Sequence, residues 1–193
     1  MRLVSFLTSP CGHSAMLRNE EALAGAAEVL RDWTKPRITF GGYGSVKAGD
    51  TRAQVVAAVP PDAEHQMFGP CELIGMPKTY EDPFSVGYLV GAEGTVLGVY
   101  PPKSARTVGG LGRGATAAQI RSAHPGSELE WSYGYGGWVA ILTMPGAPDR
   151  AMGFQFPDDW SPETPPPASA RSVWVTAGTR DFAAGWELCS DAG

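Results

Sequence analysis

Two stretches of this chain carry one pattern at an offset of 65 residues, and this internal repeat limits the fold more than anything else in the sequence. Gly49-Asp50-Thr51-Arg52-Ala53-Gln54-Val55 through Pro60 aligns without a gap on Gly114-Ala115-Thr116-Ala117-Ala118-Gln119-Ile120 through Pro125. Gly44 and Gly109 also match upstream. Thr-x-x-Gln is a capping box, in which hydroxyl and amide satisfy orphan backbone N–H groups reciprocally. The expected N-caps are therefore Thr51, answered by Gln54, and Thr116, answered by Gln119. Replacing either threonine by Ala should cost about 1 kcal/mol. Val55 and Val59 fall on one helix face, as do Ile120 and Ala123, and Pro60 and Pro125 end helices of about two turns.

Strand-like material follows each predicted helix. Residues 84–90 and 95–100 flank the glycine-bearing loop 91–94, and residues 138–143 and 151–156 flank 145–149, so each pair reads as a hairpin. Residues 172–176 give a further strand, reached through 157–170, which holds five prolines and reads as a loop. Earlier, residues 19–32 place Glu20 and Glu21 near the beginning and Arg31 near the end, with Leu23, Ala27 and Leu30 at helical spacing, so an N-terminal helix is expected. The expected fold class is α+β, with two tandem, duplicated units of short helix plus antiparallel sheet behind that helix. The boundaries are an N-terminal segment 1–18, a helix region 19–35, a first unit 36–106 and a second unit 107–193.

The 193 residues suffice for a substantial core without metal or disulfide. With 20 acidic against 15 basic residues, a net charge of -5 and no basic stripe, nucleic acid is not an expected partner. No apolar run reaches the roughly 18 residues of a transmembrane helix. Residues 1–11 pair Arg2 with a few apolar residues and read as the remnant of an export signal, with Pro10 where a lipid-attached cysteine would want a small residue before it. The expected location is extracytoplasmic, secreted or envelope-associated, with the cytoplasm as the alternative. Three cysteines leave an odd one. A bridge between Cys71 and Cys189 and a pair of buried thiols both fit, and the bridge would close a loop worth about 4 kcal/mol.

A glycine turn, then Gly-x-Thr-x-x-Gln-Val/Ile and a short helix, duplicated with strands after each copy, resembles the beta-lactamase inhibitory proteins and related small envelope lipoproteins, including actinobacterial lipoproteins of unassigned role. The resemblance covers about Gly41 to Phe156. Asp50 and Ala115 stand where members commonly have Met, and the cysteine pairs that the inhibitors carry within each copy are missing, so inhibitory activity is not carried over. The resemblance does imply a role for Trp131-Ser132-Tyr133-Gly134-Tyr135-Gly136-Gly137-Trp138, which sits where such inhibitors have an aromatic strand on a concave, partner-gripping sheet. Trp131, Tyr133 and Tyr135 alternate and share one side of a strand. With Trp138 they form the candidate binding site, since aromatic anchors are frequent interface hot spots. The competing reading packs them under a loop or helix as ordinary sheet residues.

Other motifs are weaker. Gly109-x4-Gly114-Ala115-Thr116 and Gly44-x4-Gly49-Asp50-Thr51 lack the lysine of a phosphate-binding loop, and turn plus cap accounts for them. His13, His65 and His124 have no neighbouring ligands at metal spacing, so no metal and no cofactor are expected. Asp158-Asp159 and Glu81-Asp82 read as solvated loop residues. The functional expectation is a non-enzymatic protein-binding or envelope-associated module with an aromatic sheet face and another protein as partner. The alternative is a small hydrolase or other enzyme with a carboxylate site or a Cys/His site, such as Cys71 with His65 or His124.

Overall fold

The computed structural model describes residues 35–75, 85–123, 129–134, 137–185 and 189. The chain divides into two compact units, 1–35 and 36–193, and every described residue except Lys35 belongs to the second. The N-terminal segment 1–18, the expected helix 19–32, His13, His124, Pro125, Tyr135 and Glu81-Asp82 lie outside the described residues.

Three short strands come first: β1 (Ile38–Thr39), β2 (Gly42–Tyr43) and β3 (Val46–Lys47), paired in that order as a small antiparallel sheet. Helix α1 (Arg52–Ala58) leads to β4 (His65–Phe68), β5 (Cys71–Ile74), β6 (Gly87–Val90) and β7 (Val96–Tyr100). Helix α2 (Ala117–Ala123) leads to β8 (Leu129–Gly134), β9 (Gly137–Met144), β10 (Ala147–Gln155) and β11 (Trp174–Thr179), followed by the single turn α3 (Arg180–Ala183). All eight later strands form one antiparallel sheet in the order β4-β5-β6-β7-β11-β10-β9-β8.

This architecture corrects the expected α+β class. Strand accounts for 41% and helix for 13% of the described residues, so this part of the protein is mostly β, and it is not built from two tandem helix-plus-sheet units. The reason lies at the centre of the sheet, where Ala177 and Gly178 of β11 pair with Val99 and Gly98 of β7. That pairing joins the strands before α2 and those after it into a single sheet, with one hydrophobic cluster running along the face that carries the two helices. The helices stay short because the residue after α1, Val59, is already extended and leads into Pro60, which cannot continue a helical ladder.

The helix starts themselves follow from the repeated residues. Thr51 Oγ1 accepts from Gln54 N at 3.4 Å while Gln54 Oε1 accepts from Thr51 N at 2.8 Å. Thr116 Oγ1 accepts from Gln119 N at 3.2 Å while Gln119 Oε1 accepts from Thr116 N at 2.9 Å. Helix α1 buries Val55 against the sheet and α2 buries Ala117 and Ile120, in a cluster with Ile74, Val90, Leu142, Phe154 and Phe156.

The opposite face of the sheet is covered differently. Leu73, Leu89 and Cys71 receive Phe182 of α3, whose ring also meets Tyr100 edge-on at 5.1 Å. Gly98 lies beneath that ring and Gly153 beneath the Ala183 carbonyl, and a side chain at either position would collide with what covers it. Cys189 then bonds to Cys71, tying residues 118 positions apart.

Candidate functional site

Of the aromatic residues singled out in the sequence, Trp131, Tyr133 and Trp138 lie at one edge of the large sheet. In the β8–β9 ladder Trp131 faces Ala140 and Tyr133 faces Trp138, so their side chains share the face that packs on the helices. Trp138 is 8% exposed, and its indole N–H donates to the Ser161 carbonyl at 3.0 Å. Trp131 is half-buried, edge-on to Trp138 at 6.1 Å and tilted on Phe156 at 5.4 Å. The proline-rich loop 157–170 closes over this group, with Trp160 packed against the same core. Gly137 permits the approach: its φ is +105°, and a Cβ there would lie 3.2 Å from Asp158 Cα.

Tyr133 differs from its neighbours. It is 40% exposed, its ring stands edge-on to Trp138 at 5.5 Å, and its hydroxyl donates to Asp158 Oδ1 at 3.2 Å. Partial burial, followed by the Asp158 carboxylate and its hydrogen bond, pushes the phenol's pKa up and keeps the proton available for donation. The structure thus brings Trp131, Tyr133 and Trp138 together but leaves only Tyr133 largely at the surface.

Near the other edge, Glu72 of β5 takes a two-pronged ion pair from Arg52 of α1, with Nε at 2.6 Å and Nη2 at 2.8 Å, and a contact from His65 Nδ1 at 2.7 Å. The Arg52 hydrogen bonds, outweighing partial burial, lower the Glu72 carboxyl to about 2. Cys71 is buried and committed to its disulfide, so it offers no thiolate to pair with His65. Among the described residues no group of three or more His, Cys, Asp or Glu side chains could hold a metal ion.

A feature that sequence reasoning missed is a cleft of about 480 Å³ beside the start of α2. Arg106, Arg113 and Arg171 line it together with the glycine run 109–114, Gln119 and Ser122, and no carboxylate is among the lining residues. Contacts within the protein orient each guanidinium. Arg106 Nη1 donates to the Lys103 and Ala105 carbonyls at 3.0 and 2.7 Å, Arg171 Nη1 donates to the Gly114 carbonyl at 2.9 Å, and Arg113 lies 5.5 Å over the Trp174 ring. Gly112 is needed because a Cβ would strike the Ala105 carbonyl and the Arg106 side chain, and Gly110 and Gly114 hold φ of +80° and +86°. The only sequence signal was the basic, glycine-rich character of 106–114; Arg171 lies far along the chain and arrives through the Thr116–Arg171 bridge.

No protein-family model matches the chain, no curated protein matches it, and no solved structure matches it. Among the described residues no helix is long and apolar enough to cross a membrane.

Proposed function

We propose that this protein is a non-enzymatic binding module that takes another protein at the β8 edge of its large sheet. The observation that carries the reading is Tyr133, an exposed aromatic side chain on an edge strand, held in place by Trp138 and Asp158. A rigid aromatic loses little entropy on binding, which is why such residues dominate interface energetics. An edge strand also offers unpaired backbone groups to an extended segment of a partner. Asp158, Asp159 and Glu163 belong to the adjoining loop and favour a basic segment. Trp131 and Trp138 support the site from beneath. The disulfide between Cys71 and Cys189 supports a location outside the cytoplasm, where such bonds persist.

The test compares proteins recovered from an extracytoplasmic fraction by the wild-type chain, by Tyr133→Ser and by Met144→Ser, which alters an exposed apolar residue elsewhere. A partner retained by the wild type and by Met144→Ser but lost with Tyr133→Ser supports the site. Equal recovery by all three removes it.

A further inference from the structure

We propose that the arginine-lined cleft beside α2 is a binding site for the phosphate group of a small polar molecule. This does not depend on the β8 edge, which involves none of the same residues.

The first argument is charge. The chain carries 20 acidic and 15 basic side chains, yet three arginines converge on one cleft with no carboxylate in its lining. Among the described residues none of the three forms a salt bridge. Like charges gathered without counter-ions cost free energy, and an anion relieves that cost. A guanidinium has five N–H donors, and the contacts that orient Arg106 and Arg171 occupy Nη1 alone, leaving the rest of each fork for a ligand.

The second argument comes from the matching helix start earlier in the chain, which serves as an internal control. Shifting back by 65 residues puts Gly41 opposite Arg106 and Ala48 opposite Arg113. The residue bridged to Thr51 is Thr95, where Thr116 is bridged to Arg171. Asp50, whose carboxylate accepts from Lys47 N at 2.7 Å, is answered by Ala115. So at the second start three small or neutral positions have become arginine and the one acidic position has become neutral. Building a turn and a cap requires none of these changes, since the first start makes both without them.

The backbone adds a smaller sign. Ala48 N donates to the Gly41 carbonyl at 2.8 Å, while the corresponding N–H of Arg113 has no acceptor among the described residues. The helix end itself is not the source of the site. Thr116 N donates to Gln119, Ala117 N to the Ala170 carbonyl and Ala118 N to the Ala168 carbonyl. Arginine side chains therefore do the work that a lysine and free amides do in phosphate-binding loops.

Three forks, two from the segment 106–114 and one from Arg171, suit a tetrahedral anion with three outward oxygens better than a planar carboxylate, which one fork can satisfy. A phosphate monoester carries nearly two charges at neutral pH. The cleft, at about 480 Å³, is larger than a bare phosphate needs, and Gln119 and Ser122 give its remaining wall a polar character suited to a hydroxylated body.

The experiment is calorimetric titration of the intact, oxidised chain with glucose 6-phosphate, inorganic phosphate and citrate at fixed ionic strength. Four proteins are compared: wild type, Arg113→Gln/Arg171→Gln, Ala115→Asp and Arg121→Gln, the last removing a charge outside the cleft. Saturable phosphate binding by the wild type and Arg121→Gln, weakened at least tenfold in the double variant, is expected. Ala115→Asp restores the carboxylate of the first helix start without touching an arginine, so it should weaken binding similarly, and its circular dichroism should stay that of the wild type. Tighter binding of the ester than of inorganic phosphate assigns the rest of the cleft to the organic body, while equal binding assigns the site to phosphate alone; both uphold the anion site. No saturable binding, equal binding by wild type and double variant, or citrate binding tighter than both phosphates overturns the proposal.

Discussion

The two helix starts use one set of local bonds in two different settings. At the first, Asp50 fills the turn by accepting from Lys47 N, and Arg52 reaches from α1 to Glu72 on β5. At the second, Ala115 and Ala117 occupy those positions, no ion pair among the described residues ties α2 to the sheet, and three arginines face an open cleft. The first start is closed by its own charges, and the second leaves its charges unneutralised. Capping chemistry is a local requirement met by a threonine and a glutamine, so the surrounding positions were free to diverge. That divergence separates a structural turn from a candidate site.

Breaking the strongest link on the first side should have the largest effect. Cys71→Ala/Cys189→Ala releases a closure spanning 118 residues and is expected to cost about 4 to 5 kcal/mol in urea unfolding. Hydrogen exchange should accelerate more in β4–β5 than in β8–β9, and uniform acceleration would show that the two sides are not separately held. Next come the helix anchors. Ile120→Ala should cost about 2 to 5 kcal/mol and Val55→Ala somewhat less, because both side chains are fully buried but the isoleucine leaves the larger hole. A cost below about 1 kcal/mol for Ile120→Ala would mean that α2 is not held by core packing.

Smaller still, Thr51→Ala and Thr116→Ala should each lose about 1 kcal/mol. Unequal losses would show that the Arg52–Glu72 pair holds α1 in place when its cap is gone. The last comparison is with pH. The Glu72 carboxyl is lowered to about 2 in the folded protein, so its stabilisation is complete above the usual carboxylate range near 4.5 and disappears as pH falls towards 2. Acid unfolding curves of the wild type and Glu72→Gln should converge across that window, and curves that stay parallel would remove the ion pair from the account of α1.

How far the sequence could be read depended on the range of the interactions involved. Thr51, Gln54, Thr116 and Gln119 act within four residues of one another, and the pattern of residue types was enough to locate the helix starts. The alternation of Trp131 and Tyr133 put them on one strand face, but which face was not readable. Loop 157–170 decided that, by closing over Trp138 and leaving Tyr133 at the rim. The fold class was not legible for the same reason, since the β7–β11 pairing joins residues nearly eighty positions apart through Gly98 and Gly178, neither of which signals a partner. The strands β1–β3 are two residues each, too short for any periodicity to show.

By itself, then, the sequence determined where the backbone turns and where helices begin and end, because glycines at positive φ, threonine caps and prolines act on their immediate neighbours. Tertiary structure decided that the strands form one sheet, that the C-terminal turn covers its back, and that Arg171 joins Arg106 and Arg113 around one cleft. Those outcomes depend on burial and on hydrogen bonds between residues far apart in the chain, whose partners are chosen only when the whole core closes.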